Sequence, residues 1–267
     1  MLRGWRAPLA SVFGTAIVVL GFVLPALQLV YWAASRWRYN FNRDFGELLF
    51  NSFTLATAAA IACLLVALLL AYTKRRFNAR RERSQVEIAN LGYAVPGTVI
   101  AVGIMAPAGW LDQQIDTLSS AWFNYPTGLL LSGTVGILLF AYVVRFLSVS
   151  LQSVESGLTA IKPNIDESAR SLGASPLQVL GRIHLPLLRP SLLTALLLVF
   201  VDVLKELPTT LILRPFNFNT LAVRTYELAS DERLVDAALP ALAIVATALL
   251  PVLLIIRTML HERRPHG

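Results

Sequence analysis

Six long apolar stretches, separated by polar segments, dominate the pattern of hydrophobic and polar positions along the chain. A helix of about 20 apolar residues crosses the roughly 30 Å hydrocarbon core of a bilayer, and a helix satisfies its own backbone groups there. The pattern therefore predicts an all-α, polytopic membrane protein with six transmembrane helices. The predicted spans are residues 9–34, 48–72, 88–110, 127–146, 192–207 and 237–259.

The composition agrees with this pattern. Hydrophobic residues make up 56% of the 267 residues, charged residues make up 15%, and the mean hydropathy is +0.63. One soluble core of this size would not bury so much apolar surface. No soluble domain separates from the spans, so we expect residues 1–267 to form a single membrane domain. The first span follows Arg3 and Arg6, as a signal peptide would, but its apolar run exceeds the about 7–15 residues of a cleavable core. We interpret it as a retained span.

The distribution of Lys and Arg predicts the orientation of the spans, because short basic loops stay on the cytoplasmic side. With both termini inside, sixteen of the 23 Lys and Arg residues lie in inner segments and six lie in outer segments. We therefore expect a multi-pass membrane protein with both termini cytoplasmic. Basic segments that face anionic membrane lipid account for the net charge of +7 without a nucleic-acid partner. Arg145 is assigned to the inner end of the fourth span, where its side chain would reach the headgroups.

Cysteine and proline limit the picture further. The single cysteine, Cys63, lies in the second span and excludes an intramolecular disulfide, so we interpret it as a small apolar core residue. Pro25, Pro96, Pro240 and Pro251 lie inside predicted spans, where each removes a backbone hydrogen bond and kinks a helix. Such kinks either help the helices pack or act as gating hinges, and both interpretations stay open.

The polar inner segment, residues 149–190, has the most informative local pattern. Asn164 is in position to cap a helix whose first turn contains Asp166 and Glu167. Both acids would then oppose the positive end of the helix dipole. Gly173 suits the left-handed position that ends such a helix. The pattern predicts a short helix that is closed by a bend.

A second short helix is predicted after the bend. Ser175 precedes Pro176, which is favoured at the first helical position, and Gln178 completes a capping box. Pro186 and Pro190 then mark the entry to the fifth span. The two short helices either dock into a groove on another protein through an apolar face or pack against the inner surface of this protein. The candidate contacts are Ile165, Ala169, Leu172 and Leu177.

The same segment resembles a known motif. The motif residues are Glu167, Ser168, Ala169, Gly173, Ile183, Leu185 and Pro186. Their spacing is similar to that of the cytoplasmic loop of permease subunits in bacterial binding-protein-dependent ABC importers, where the family has Ala in place of Ser168. The resemblance implies a type I ABC importer transmembrane domain with a cytoplasmic coupling helix that sits in a cleft of the ATP-binding subunit. It also implies that Glu167, Ala169 and Gly173 belong to that contact, and that the last three motif residues lead into the next span.

Three further segments resemble the C-terminal half of ferric-iron ABC permeases, which commonly fuse two such halves in one chain. The segments are residues 90–99, 202–208 and 225–232. This resemblance implies iron transport, and permeases for sulfate, thiamine and polyamine share the architecture as alternatives. The single copy of the loop motif implies either a half-size subunit that pairs with a second permease half, identical or homologous, or a part of a longer polypeptide.

The resemblance also implies the partners. The sequence has no Gly-x4-Gly-Lys-Ser/Thr phosphate loop, so we expect this chain to bind no cofactor and to be a transport subunit rather than an enzyme. ATP would be hydrolysed by separate ABC ATPase subunits. A periplasmic or lipid-anchored solute-binding protein would deliver the solute, and the paired membrane halves would move it by alternating access.

Asp202, Lys205 and Glu206 place three charges at the end of the fifth predicted span. Residues at i, i+3 and i+4 share one helix face, and Lys205 can neutralise either acid. A charge deep in a bilayer costs about 2.5–3.5 kcal/mol on insertion scales. The three residues are therefore candidates for a polar lining or gate of the transport pathway. The alternative is an ion pair at a helix end or a contact between subunits.

Two other classes of membrane protein are alternatives. A membrane-embedded enzyme would need catalytic or metal-ligand groups, and His184, His261 and His266 have no metal-ligand spacing. A channel or an ion-coupled transporter would move its solute without an ATPase.

Overall fold

The computed structural model describes residues 6–36, 41, 43–77 and 87–262, and these residues form helices and connecting loops. The all-helical architecture confirms the predicted fold class. The described helices are α1 (Arg6–Val18), α2 (Leu24–Ser35), α3 (Arg43–Phe77), α4 (Gly97–Phe123), α5 (Val135–Ala160), α6 (Pro163–Ser171), α7 (Pro176–Val179), α8 (Leu185–Leu204), α9 (Pro208–Leu213), α10 (Leu221–Ser230) and α11 (Leu234–Glu262).

Helices α3, α5 and α8 pack against one another and form the centre of the fold. Small side chains on α3 permit this close approach, as is usual between helices in membranes. Leu138 and Leu151 of α5 and Val199 of α8 are buried in the same clusters. The small residues of α3 recur at helical spacing and are at most 2% exposed: Ala56, Ala59, Ala60, Cys63, Ala67 and Ala71. Cys63 is therefore a buried core residue, as predicted.

The other helices surround this bundle. Helix α4 packs against α9 and α5, α10 packs against α11, and α11 also contacts α2 and α8. Large apolar side chains along α1 and its continuation into α2, such as Phe13 and Leu27, are more than half exposed. The N-terminal helices thus present the apolar surface that is typical of a membrane span.

Four described helices are long and apolar enough to cross a bilayer by length and composition, namely Pro8–Ser35, Arg43–Arg76, Val135–Ala160 and Pro176–Leu204. A fifth span results if the bent pair Glu87–Ala94 and Gly97–Phe123 is one span. In the last helix, the apolar stretch Leu234–Leu249 is shorter than these four helices. The predicted number of six spans therefore stays a prediction.

The third predicted span, 88–110, is broken at Pro96. The helix axes before and after the break differ by 112°. A proline disfavours the α conformation in the residue that precedes it, and Val95 is accordingly extended, with φ −83° and ψ 132°. Beyond the break, α4 continues to Phe123 instead of ending at residue 110.

The fourth predicted span is shifted along the chain. Helix α5 begins at Val135 instead of residue 127, because Thr134 caps it with its side chain. The helix then continues to Ala160. With a rise of 1.5 Å per residue, Arg145 lies about 15 Å from the start of α5 and about 22 Å from its end. Its predicted position at the inner end of the span is therefore wrong.

A buried carboxylate holds the loop between α4 and α5. Asp112 of α4 is 0% exposed and accepts hydrogen bonds of 2.8–3.0 Å from the backbone N–H groups of residues 130–132. Asp116, one turn later, accepts a 2.9 Å bond from the N–H of Gly128. The amide groups of a loop lack helical partners, so side chains satisfy them instead.

Two wide helical turns accommodate prolines within long helices. The π-helical turns Val19–Val23 and Leu180–His184 each end two residues before a proline, Pro25 and Pro186. In a regular α-helix the proline ring meets the carbonyl four residues earlier, and the wider turn relieves that contact. The chain from Pro176 to Leu204 is consequently one continuous helix. The prediction that Pro186 and Pro190 separate the second short helix from the fifth span is wrong.

Several basic residues behind the predicted orientation lie outside the described residues, as does His266. The basic residues are Arg3, Arg38, Arg80, Arg81, Arg83, Arg263 and Arg264. The cytoplasmic location of both termini stays a prediction.

We expect Asp112→Ala to destabilise the protein by about 3 kcal/mol, because three backbone donors lose their charged acceptor. Asp116→Ala is the matched control and should cost about 1 kcal/mol, since a single backbone donor depends on it. Thermal unfolding of the purified protein in detergent measures both. Equal midpoints for the two variants would contradict the role given to Asp112.

Candidate functional site

We use the name coupling segment for residues 163–179, which comprise α6, a bend and α7. Helix α6 begins two residues earlier than predicted, with Pro163 at its first position and Lys162 as an extended N-cap. Proline has the φ that the first helical position requires and pushes the preceding residue out of the α region. The predicted cap at Asn164 is therefore wrong: Asn164 lies in the first turn, and no side chain caps α6.

The bend and the start of α7 have the predicted geometry. Gly173 has a φ of +81°, and the N–H of Ala174 reaches the carbonyl of Ala169 at 3.0 Å, which is a Schellman closure. The side chain of Ser175 accepts from the backbone N–H of Gln178, and the Gln178 side chain accepts from the N–H of Ser175. The capping box predicted there is present, with Pro176 at the first helical position.

Arg75, near the end of α3, ties the coupling segment to the central bundle. Its Nε donates to Asp166 Oδ2 at 2.9 Å, and its Nη2 donates to the carbonyl of Ile161 at 3.0 Å. Nη1 donates to the carbonyl of Leu158. One guanidinium therefore joins the last carbonyls of α5 to a carboxylate of α6, using the fork of donors that lysine lacks.

His184 and Tyr72 complete this attachment. His184, which is 1% exposed, lies with Nε2 2.7 Å from Asp166 Oδ1. Burial of the Asp166 carboxyl raises its pKa, but hydrogen bonds from Arg75 and His184 outweigh burial and hold that pKa below its ordinary value. The carboxylate is thus ionised at neutral pH and only accepts, so His184 Nε2 carries the proton. Tyr72 packs edge-on against the His184 ring and donates to the carbonyl of Pro176 at 2.7 Å.

The coupling segment has one face against the protein and one face away from it. Ala169 and Val179 are buried against the bundle, whereas Leu172 is 88% exposed and Leu177 is 78% exposed. Ile165 is partly exposed. The two interpretations left open by the sequence thus both describe part of the segment: one face packs on this protein's own surface, and large apolar side chains at the bend point away from it.

The other motif residues divide in the same way. Glu167, Ser168 and Gly173 are exposed. Ile183 and Leu185 are half-buried, and Pro186 is exposed, within the continuous helix that leads from the bend into the membrane.

The three charges at the end of α8 do not act as one group. Lys205 Nζ pairs with Asp202 Oδ1 at 2.9 Å, and Lys205 is 61% exposed. Helix α8 ends at Leu204, so Glu206 leaves the shared helix face and pairs with Arg145 at 3.4 Å. Arg145 therefore lies in an ion pair within the bundle, and the expectation that it reaches the headgroups is wrong. The fourth predicted span begins eight residues before α5 does, so Arg145 falls near the middle of the helix.

Within the described ranges, no group of three or more His, Cys, Asp and Glu side chains is arranged to hold a metal ion.

Residues 63–264 match the protein family described as binding-protein-dependent transport system inner membrane component. The chain belongs to this family. The match covers the coupling segment and all helices from the middle of α3 onward. The predicted relationship to the permease subunits of binding-protein-dependent ABC importers is thereby confirmed.

Relatives of this permease include proteins named for ferric iron transport and for 2-aminoethylphosphonate transport. It is 27% identical over 246 residues to the Fe(3+)-transport system permease protein FbpB 2 of Haemophilus influenzae, covering 91% of this chain and 46% of the relative. The permease thus spans about half the length of that relative. It is 26% identical over 255 residues to PhnV of Salmonella typhimurium, a protein named for 2-aminoethylphosphonate transport, covering 90% of each chain.

Solved structures share the fold of this permease. A chain of a bacterial alginate ABC transporter, in complex with an alginate pentasaccharide-bound periplasmic protein, aligns with a TM-score of 0.70 at 16% identity, covering 97% of this chain and 94% of that chain. A chain of the MetNI methionine ABC transporter in an inward-facing conformation aligns with a TM-score of 0.55 at 17% identity.

Some residues of the site escaped the sequence analysis. The motif spacing identified the bend but not its attachment, because Arg75 and Tyr72 lie about 90 residues earlier. The only local signals were a Tyr and an Arg at i and i+3 as α3 leaves the apolar region, and a buried histidine within an apolar motif. Neither signal identifies a partner without the fold.

We expect Arg75→Gln to loosen the coupling segment, because Asp166 and two helix-end carbonyls lose a charged donor. Backbone amide exchange in residues 163–179 should accelerate by about tenfold or more at neutral pH, where Asp166 is ionised. Lys74→Gln is the control. This substitution removes the same charge one residue away, but Lys74 pairs with Glu155 and not with Asp166. Hydrogen-exchange mass spectrometry measures both, and equal acceleration in the control would argue against a specific role of Arg75.

Proposed function

We propose that this chain is the membrane-spanning subunit of an ATP-driven importer, that it moves a solute by alternating access, and that ABC ATPase subunits drive it through the coupling segment. A second permease half, identical or homologous, completes the pathway, and a periplasmic or lipid-anchored binding protein delivers the solute. Membership in the permease family supports this proposal, as does the fold shared with complete ABC transporters.

The observation that carries the coupling role is the two-faced coupling segment. The buried face is attached to α3 by Arg75 and Tyr72, so a displacement of the segment would act on the bundle through these contacts. The exposed apolar side chains Leu172 and Leu177 flank the bend at Gly173, where a groove on an ATPase subunit would bury them. An ATPase that binds there differently in its two nucleotide states would bias the bundle between inward and outward access.

The charges at the end of α8 suggest where the pathway runs. Lys205 is exposed beside Asp202, at the break that follows a helix of membrane-spanning length. A charged side chain at membrane depth faces a water-filled cavity rather than lipid. In this proposal Asp202 and Lys205 line the pathway, while Glu206, which is 7% exposed, lies behind them.

Ferric iron is the proposed solute, on the strength of the Fe(3+)-transport relative and the three ferric-permease-like segments. A phosphonate is the second candidate, because PhnV is matched along 90% of both chains. The chain itself would bind no cofactor and perform no catalysis, and the ATP would be bound by the partner. The assembly would lie in the bacterial cytoplasmic membrane with both termini of this chain in the cytoplasm.

We expect Leu172→Asp to abolish co-purification of the ATPase subunits, since burying the new carboxylate in an apolar groove is strongly unfavourable. Glu167→Lys should retain folded protein but lose most solute-dependent ATP hydrolysis. Gly173→Pro should lose it as well, because proline cannot adopt the φ of +81° at the bend. Gly181→Ala is the control, because no atom lies within 4 Å of its added Cβ. Unaltered ATPase binding and hydrolysis in all three site variants would reject the coupling role.

The solute is tested in proteoliposomes that contain the complete transporter and its binding protein. We expect ATP-dependent uptake of radiolabelled ferric iron, which 2-aminoethylphosphonate in excess should leave unchanged. Uptake of radiolabelled 2-aminoethylphosphonate with no uptake of iron would replace the cargo but keep the importer. Uptake that persists without ATP and collapses with the ion gradient would favour an ion-coupled transporter instead.

A further inference from the structure

Two breaks in helical backbone meet at one point inside the bundle. The first is the bend at Pro96, after which α4 begins at Gly97. The second is the interruption between α8 and α9 at residues 205–207. Between them lies Arg145, near the middle of α5. Non-helical backbone at membrane depth persists only where protein or water satisfies it, so the contacts at this meeting point decide how both breaks are held.

Glu206 connects the second break to its surroundings. Its Oε2 pairs with Arg145 Nη2 at 3.4 Å. Its Oε1 accepts from the backbone N–H of Thr209 at 3.1 Å and from the Thr209 hydroxyl at 2.8 Å. The carbonyl of Glu206 accepts from the Thr210 hydroxyl at 2.6 Å, and that hydroxyl is also hydrogen-bonded to Tyr142 of α5. Both the side chain and the backbone at the break are thus bound to α5 or to the start of α9.

Gly97 makes room for this arrangement. A Cβ at this position would overlap Arg145 Nη1 and would lie 2.6 Å from Thr209 Oγ1 and 2.8 Å from Glu206 Oε1. Real Cβ atoms essentially never approach other atoms so closely. The start of α4 therefore lies directly against the ion pair, and a side chain at position 97 would displace the ends of the Arg145 and Glu206 side chains.

Burial withdraws the Arg145–Glu206 pair from solvent. The side chain of Arg145 is 19% exposed and that of Glu206 is 7% exposed. Removing one partner of such a pair leaves an uncompensated charge and is strongly destabilising. The adjacent Asp202–Lys205 pair is different, since Lys205 is 61% exposed. Of the two charge pairs at the break, Arg145–Glu206 therefore lies inside the bundle and Asp202–Lys205 lies at its surface.

We propose that Arg145, Glu206 and Gly97 are positioning residues for the transport pathway. The Arg145–Glu206 pair fixes the rotation of the backbone at residues 205–207, after α8, and that rotation turns Lys205 toward the aqueous pathway. This inference rests on the proposed function only in that Lys205 lines the pathway. Arg145 and Gly97 act through Glu206 and do not touch the solute.

The test measures the orientation of position 205 directly. In a Cys63→Ala background, Lys205→Cys provides one thiol in this chain, and mass spectrometry of this chain follows its modification in the complete transporter, reconstituted with its ATPase in liposomes. The probe is 2-(trimethylammonium)ethyl methanethiosulfonate, a charged reagent that does not enter lipid. We expect rapid modification of Lys205→Cys, and a decrease in its rate of about tenfold or more when Glu206→Gln or Arg145→Gln is added, because either change removes the buried pair.

Two matched comparisons separate positioning from general damage. Gly97→Ala should slow modification as the charge variants do, whereas Gly103→Ala on the same helix should not, since no atom lies within 4 Å of its added Cβ. The double variant Arg145→Gln/Glu206→Gln has no unpaired buried charge, so it should recover the thermal stability that the single variants lose. It should still be modified slowly, because the connection to α5 is absent.

Each result decides one question. Recovery of the modification rate in the double variant would overturn the proposal. The Arg145–Glu206 pair would then serve only to neutralise two buried charges and would not orient position 205. Unchanged rates in Gly97→Ala and in both single variants would overturn it as well. If the probe does not modify Lys205→Cys in a transporter that still couples to its ATPase, position 205 lies away from the pathway and the inference is rejected. Loss of ATPase coupling in the parent protein would reject the proposed function itself.

Discussion

Close packing of α3 against α5 and α8 is the constraint on which the other features depend. Between helices in a bilayer the hydrophobic effect contributes little, and association relies on van der Waals contact and hydrogen bonds. The alanines and the cysteine along α3 provide that contact by letting the backbones approach. The same bundle brings Arg75 to Asp166 at one end and supports the Arg145–Glu206 pair farther along α5. Both ion pairs connect residues that are distant in sequence, and neither could form on separated helices.

Helices α5 and α8 link the two ion pairs. The last carbonyls of α5 accept from Arg75, and the middle of α5 holds Arg145. The chain that leaves the coupling segment runs without interruption to Leu204, two residues before Glu206. A displacement of the coupling segment would therefore reach the break at 205–207 along one continuous helix, with α5 as a second path at its side. We infer that the two ends of the bundle move as connected parts.

The sequence predicted two local features of the coupling segment correctly but misplaced the start of α6, where Pro163 and not Asn164 sets the boundary. The bend at Gly173 and the capping box at Ser175 follow from the conformations those residues favour, and both are present. Hydropathy could not find where a span begins, because a loop that is itself apolar, such as residues 127–131, looks like helix. Thr134 and Asp112 decide that boundary through specific hydrogen bonds. Because of this error, Arg145 was predicted at the end of a span instead of near the middle of α5. Its ion pair with Glu206 was therefore not predicted. Contacts such as Arg75 with Asp166 depend on tertiary packing and could not be predicted from spacing.

The π-helical turn at Leu180–His184 has a consequence for how chains of this kind can vary in length. Such a turn contains one residue more than a regular α-helical turn, yet the helix on either side continues with its faces aligned. Deleting a single residue there would restore a regular helix, and the ring of Pro186 would then meet the carbonyl of the preceding turn. Pro107 and Pro190 lie inside helices without such a turn, so the wider turn is one of two ways in which this chain accommodates a proline. A one-residue deletion there would leave the chain with a kink at Pro186 instead, and the direction of the helix beyond it would change.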